Sequence, residues 1–380
     1  MRFFLVSVFA LGCGSVSDVP KDAAGDTTSN QQDAMVDAPS CGAAGQACCA
    51  NNMCSTNLSC TASDQVCRAS VLFVGASNQT TGQAYVLRGV GSTFAVDPIG
   101  QGSVFSVWGT AANDVWVIAG YNDSNNAQKS YARHWNGTIW ETALPFTPDG
   151  FVYGLWGSAA NNYWAFTNGG GSYHWTGSSW GTLTPIDSGQ VFNGAWGSSA
   201  TNIYAFDGKQ WHYDGTWTST SPTDFRATRP NGARASGELW TGGSDPAGYN
   251  PAVLHIAGAT RTVEPLSADN NCHEVVAIWP SGTDVWAIDN GLIAAGQCTV
   301  GPRLYHRTSS WAEVTTGLPA WQNVNAMWGT SDKDIYVSGK NAAGEVALFH
   351  YDGAAWTPVY STTTATFAGA NAMWGPGGTN

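Results

Sequence analysis

Histidine is the side chain best placed for proton transfer near neutral pH, and six of the seven histidines recur in register: His134, His174, His212, His255, His306 and His350. Each ends a short run such as SYARHW, GSYHW or VALFHY, and Arg88 takes that slot in the first such run. A catalytic base or metal ligand is needed once, at one place. A residue repeated in every unit therefore reads as scaffold, its ring hydrogen-bonding a neighbouring turn. His273 is out of register beside Cys272, with no Ser and Asp companions for a nucleophilic triad. Asp114, Asn162, Asn202, Asp284 and Asp334 also recur and read as turn formers that bond local backbone. A glycosidase wants two carboxylates placed uniquely across a cleft, and no such pair stands out. No catalytic residue is assigned, and neither a metal nor a cofactor is expected. Arg226 and Arg229, in DFRATRPNGARASGELW, are the exception to periodicity and could hold an anion or a carboxylate bidentately.

The nine cysteines divide into three sets. Cys13 follows an apolar run, Phe3 to Leu11, behind Arg2. That run is too short to span a bilayer and suits an export signal. The string Ala10-Leu11-Gly12-Cys13 resembles a bacterial lipobox, which implies lipidation of Cys13. Residues 13–40 hold five aspartates, one lysine and little to bury, so a disordered acidic tether is expected. Cys41, Cys48, Cys49, Cys54, Cys60 and Cys67 crowd into 41–68. So short a segment of an exported chain reads as a disulfide module, with 15 pairings open. It resembles small Dickkopf-type or knottin-like modules. Cys272 and Cys298 are expected to pair with each other.

The elements that must position these residues repeat from 69 to the end. SVFSVWGTAANDVWVIAG, FVYGLWGSAANNYWAFTNG and NVNAMWGTSDKDIYVSGKN are each followed by runs such as SYARHWNGTIWETALP. Each unit gives four short strands, a to d, with Asn-Gly or Asp-Gly hairpin signals between c and d. Strand a ends in Trp at Trp108, Trp156, Trp196, Trp279, Trp328 and Trp374, followed by Gly in every case but Trp279, where Pro280 follows. A wide interval before Trp279 conceals a unit in which Pro230 takes the Trp slot. Units of about 44 residues with four strands are propeller blades. The first unit, from Val71, has only b, c and d, and the chain ends in an orphan a strand, ANAMWG. An all-β, seven-bladed β-propeller closed by its C-terminal strand is expected, preceded by the disulfide module. Residues 69–380 resemble secreted bacterial repeat propellers with a WG-x-S-x-x-D-x-W unit, a likeness that speaks to fold rather than activity.

In such a meander the a–b and c–d turns share one face, and the b–c and d–a connections share the other. The latter vary, as at 120–129, 242–251, 265–271 and 289–301, and variable loops on a rigid scaffold are where binding resides. Tyr121, Phe146, Tyr249, Trp321 and Phe367 are expected on that face, and Arg226 and Arg229 on a strand lining the central channel. Only 11% of residues are charged, and the net charge is -12, which argues against nucleic acid. The expected protein is exported, lipid-anchored at the cell envelope or secreted, and non-enzymatic. Its partner is an extracellular or periplasmic glycan or protein, and its only membrane contact is the lipid. Alternatives are a glycan-processing hydrolase or lyase at the channel mouth, and a structural envelope protein.

Overall fold

The computed structural model describes residues 41, 46–47, 58–61, 66–69 and 71–376, apart from 79, 142–145, 147, 149, 234–237, 247–249, 268–272, 282–283, 292–300 and 362–368. Leu58–Thr61 pairs antiparallel with Val66–Ala69, and Cys60 stands opposite Cys67. The signal, Cys13, the linker, Cys48, Cys49, Cys54, Cys272 and Cys298 lie outside the described residues.

Seven four-stranded antiparallel sheets follow, each in the order a-b-c-d. The seven a strands are Gly369–Trp374, Ser103–Ala111, Val152–Ala159, Ala195–Ser199, Arg226–Ala233, His273–Ser281 and Trp321–Ser331, for blades 1 to 7. Every a strand touches the a strand of both neighbouring blades. These strands therefore encircle the central axis. The C-terminal strand completes blade 1 as expected, with Trp374 opposite Phe73 and Met373 opposite Val74. Closure of this kind removes an open sheet edge.

Local sequence explains the elements. Alternating apolar residues suit half-buried strands. The c–d hairpins turn on Gly137, Gly215 and Gly353, all at positive φ, after Asn136, Asp214 and Asp352. Asn136 Oδ1 accepts the backbone N–H of Thr138 and Ile139, and Asp352 does the same for Ala354 and Ala355.

The blades are joined by tryptophan. Trp108 Nε1 donates to Gly157 O of the next blade at 2.8 Å. A Cβ on Gly197, Gly329 or Gly375 would meet the ring of Trp156, Trp279 or Trp328 at under 3 Å. Gly109, Gly197, Gly329 and Gly375 thus make room for the preceding blade's indole. Blade 5 has no such Trp, and blade 6 carries Pro280 where the others have Gly. The register in blade 5 departs from the sequence alignment. Pro230 faces Thr241, one step beyond Trp240, whereas Trp108, Trp156 and Trp279 directly face Trp116, Trp164 and Trp286. An irregularity between Pro230 and Ala233 absorbs the offset, because proline cannot donate to the ladder.

Candidate functional site

All six periodic histidines lie on strand c and are absorbed by packing. Each stacks on the aromatic residue opposite it on strand b: His134 on Trp116, His174 on Trp164, His212 on Tyr204, His255 on Trp240, His306 on Trp286 and His350 on Tyr336. Nε2 points at the first residue of strand b, with Asp114 at 2.8 Å, Asn162 at 2.6 Å, Asn202 at 2.7 Å, Asp284 at 2.9 Å and Asp334 at 2.6 Å. These Asp and Asn side chains thus serve more than the local backbone expected of turn formers. Asp114 and Asp334 also accept the hydroxyls of Thr110 and Thr330. The hydroxyl reaches the carboxylate and not the imidazole, so this is no nucleophile–base pair.

Blade 2 carries the strongest electrostatic coupling of these groups. His134 Nδ1 meets Glu141 Oε2 at 2.9 Å while Nε2 meets Asp114, so protonated imidazolium satisfies both carboxylates. Burial opposes the charge, but the two carboxylates outweigh it and hold the His134 pKa above its ordinary value. His174 faces a neutral amide, and burial alone pushes its pKa down. Asp114 additionally takes the Tyr163 hydroxyl of blade 3 at 2.8 Å.

The residues expected on the b–c and d–a face fare differently. Tyr121 is half-buried at the end of strand b of blade 2, tilted against Tyr131 at 6.2 Å. Phe146 is a correction. It is 3% exposed because its ring is wedged against Tyr173 and Trp180 of blade 3. Trp321 is a second correction. It opens strand a of blade 7 instead of sitting in a connection, and it packs half-buried on Phe349 and Trp356. Tyr249 and Phe367 lie outside the described residues. Arg226 opens strand a of blade 5 and is exposed. Arg229 lies on the same strand opposite Gly242.

Sequence reasoning missed the residues nearest the axis on that face. In strand a, the residue three before the Trp is skipped by the ladder. Phe105 falls between Val104 and Ser106, Tyr153 between Val152 and Gly154, and Asn325 between Val324 and Ala326. Such bulges re-aim one side chain. Asn193 holds the same place before Trp196 and is exposed, while Phe105, Tyr153 and Asn325 are half-buried. Each strand a begins where a d–a connection delivers it, so these residues stand at the mouth of the ring. The signal in the sequence was a slot reading Phe, Tyr, Asn, Val, Asn and Asn, preceded by an apolar residue and followed by a small one.

Three rings meet there. Phe105 lies 5.0 Å from both Phe151 and Tyr153, at 68° and 66°, and Phe151 lies 5.8 Å from Tyr153. Gly120, on strand b of blade 2, permits this. A Cβ there would meet Phe105 Cε2 at 2.5 Å and Phe151 Cδ1 at 3.0 Å. Asn168 fixes the Phe151 backbone, accepting its N–H at 3.1 Å and donating to Gln128 Oε1 at 2.6 Å. Burial raises the Tyr153 pKa, so its hydroxyl stays protonated as a donor. That hydroxyl has no hydrogen-bond partner among the described residues. The neighbouring inner strands touch at the backbone, since a Cβ on Gly154 would lie 2.6 Å from Gly194 Cα. Tyr153 and Asn193 thus flank one contact.

Two cavities lie away from the mouth. One of about 420 Å³ is lined by Leu318, Pro319, Phe349, Trp356 and Pro358 at the outer strands of blade 7. One of about 580 Å³ lies between blades 4 and 5 beside Asp224 and Arg261. Among the described residues no cluster of His, Cys, Asp and Glu could hold a metal ion.

No protein-family model matches the chain, and no curated protein matches it. Solved structures do. The β-propeller domain of the Trilobed protease from Pyrococcus furiosus, described as having an open velcro topology, is similar at 10% identity and a TM-score of 0.52. The match covers 76% of this chain and 93% of that one. YCF48 bound to a D1 peptide is similar at 14% identity and a TM-score of 0.45, over 67% of this chain and 81% of that one. Kuenenia stuttgartiensis hydrazine synthase is similar at 11% identity and a TM-score of 0.47, over 66% and 77%. At 10% identity the likeness to the protease's propeller domain shows the fold alone, and propellers host many activities.

Proposed function

We propose that this is an exported, non-enzymatic binding protein that recognises a glycan or protein ligand on the face carrying its b–c and d–a connections. One observation carries the reading. The repeated polar residues are consumed by blade packing, while Phe105, Phe151 and Tyr153 remain half-exposed at the mouth on a rigid inner wall. A preformed aromatic surface costs little ordering when a ligand settles on it. An export signal and lipidation at Cys13 would place the chain outside the cytoplasm, where the disulfide module of 41–68 is stable. No cofactor enters this function, and nucleic acid is disfavoured by the net charge of -12.

The test is capture of ligands from glycan arrays and envelope extracts by the full chain, repeated with Phe105→Ala and Tyr153→Ala. Ligand lost in both variants, at unchanged circular dichroism, supports the reading. Ligand retained in both, or none captured, overturns it. The exposed position of Arg226 at the start of an inner strand favours a second reading, a hydrolase or lyase acting on an acidic glycan. Polysaccharide cleavage that vanishes in Arg226→Ala would select it.

A further inference from the structure

We infer that the ligand of the mouth is an uncharged glycan, one sugar ring of which stacks on the wall of Phe105 and Tyr153 while neighbouring amides read its hydroxyls. This rests on the binding reading above and narrows it to one class.

The argument starts from what a pyranose presents: an apolar C–H face bordered by hydroxyls, each both donor and acceptor. Its complement is an aromatic ring bordered by neutral groups that donate and accept. The mouth has that composition. Phe105 and Tyr153 come from adjacent inner strands, and Asn193 lies two residues before strand a of the next blade. Asn325 holds the equivalent bulge on blade 7. Among the described residues, Tyr153 Oη, Asn193 and Asn325 have no side-chain hydrogen-bond partner within the protein. A ligand hydroxyl could bond to the Tyr153 hydroxyl and the Asn193 amide without displacing any bond within the protein.

Rigidity points the same way. The Phe105 and Phe151 rings rest on Gly120, and no side chain there could give way. The wall therefore binds by matching a preformed shape. The bulge slots supply aromatic, amide and aliphatic groups, with no carboxylate or cation at Phe105, Tyr153, Asn193, Val276 or Asn325. A polyanionic glycan would find no charge partner at those slots, and the exposed Arg226 stands on blade 5, which adjoins neither blade 2 nor blade 3.

The experiment is isothermal titration of the full chain with hexamers of β-linked glucose, mannose and N-acetylglucosamine. A hexagalacturonate and the peptide pool of an envelope digest serve as comparisons. At least one neutral hexamer is expected to bind. Phe105→Ala and Tyr153→Ala should each weaken it about tenfold. Tyr153→Phe, which keeps the ring and removes the hydroxyl, should weaken it only several-fold. Asn193→Ala should weaken it without changing thermal unfolding. Failure of all neutral hexamers, or binding indifferent to Phe105→Ala and Tyr153→Ala, overturns the inference. If the peptide pool or the galacturonate binds instead and is lost in Phe105→Ala, the glycan class is wrong and the binding face stands. If nothing depends on these two rings, both fall.

Discussion

The indole of Trp374 lies over Gly109, so that a Cβ on Gly109 would meet it at 2.7 Å. These two residues are 265 positions apart in the numbering, and their contact joins the last strand to the second blade. It is the same Trp-over-Gly step that Trp156 makes on Gly197 and Trp328 on Gly375. The seam of the ring is therefore built with the contact used within it.

Substitution at that seam should be costly. Gly109→Ala forces a methyl against a buried ring, and overpacking of this kind costs about 1–3 kcal/mol. Trp374→Ala empties a site exposed by only 4% and should cost about 3–5 kcal/mol. Pro280→Ala, in the blade whose neighbour offers no indole, should be nearly silent by the same steric criterion. Urea denaturation of the three variants checks the order. A Gly109→Ala midpoint equal to that of the unsubstituted protein would contradict the steric account.

Stability should depend on pH through His134. Its folded pKa is raised by Asp114 and Glu141, so its contribution is full below the unfolded value of about 6.5 and fades as pH rises through the folded pKa. Asp114 and Glu141 are lowered, so their contributions hold above about pH 4 and fade as pH falls. His174 has the opposite sign. Its folded pKa is lowered, and its contribution is lost on acidification below about pH 6.5. The difference in unfolding free energy between the parent and His134→Gln should shrink as pH rises above about 6.5. A difference constant from pH 5 to 9 would show that His134 is not held protonated.

Phe146 was expected to be an exposed loop aromatic, and its burial makes a different prediction. Phe146→Ala should cost about 3–5 kcal/mol and lower the thermal midpoint. An exposed ring could be removed within about 0.5 kcal/mol. Tryptophan fluorescence should report the change, because Trp180 packs on it at 4.5 Å.

Blades 1 and 2 are also joined at their outer strands. Asp97 accepts Arg88 Nε at 2.8 Å and Trp140 Nε1 at 3.0 Å, and Arg88 lies 4.2 Å over the Trp135 ring. Glu264 plays the same part between blades 5 and 6, taking Arg307 and Trp311. Asp97→Ala should therefore cost about 1–3 kcal/mol, the penalty for half-buried donors left without an acceptor. Hydrogen exchange of blade 1 should accelerate ahead of blade 4.

The blade count, the strand order, the closing role of Gly369–Trp374 and the scaffold role of the six histidines were legible in the sequence. They rest on local patterns: alternation, Asn-Gly and Asp-Gly turns, and repetition at a fixed interval. A repeated residue meets the same surroundings in every blade, so its role can be inferred from the repetition alone. The fate of Phe146, the strand position of Trp321 and the blade 5 register could not be read this way. A connection's aromatic is buried or exposed according to the side chains on the next blade, and the run at Pro230 lacks the Trp that marks the register in other blades. The mouth was hidden for a related reason. Phe105, Tyr153 and Asn193 are 40 to 48 residues apart and carry no shared chemical signature. Only the bulges at Phe105 and Tyr153 turn those slots aside, and only ring closure brings adjacent slots to one place. Short-range chemistry, being local, was written in the sequence. The neighbours that blades acquire across the ring, and the recognition surface they create, came from tertiary packing.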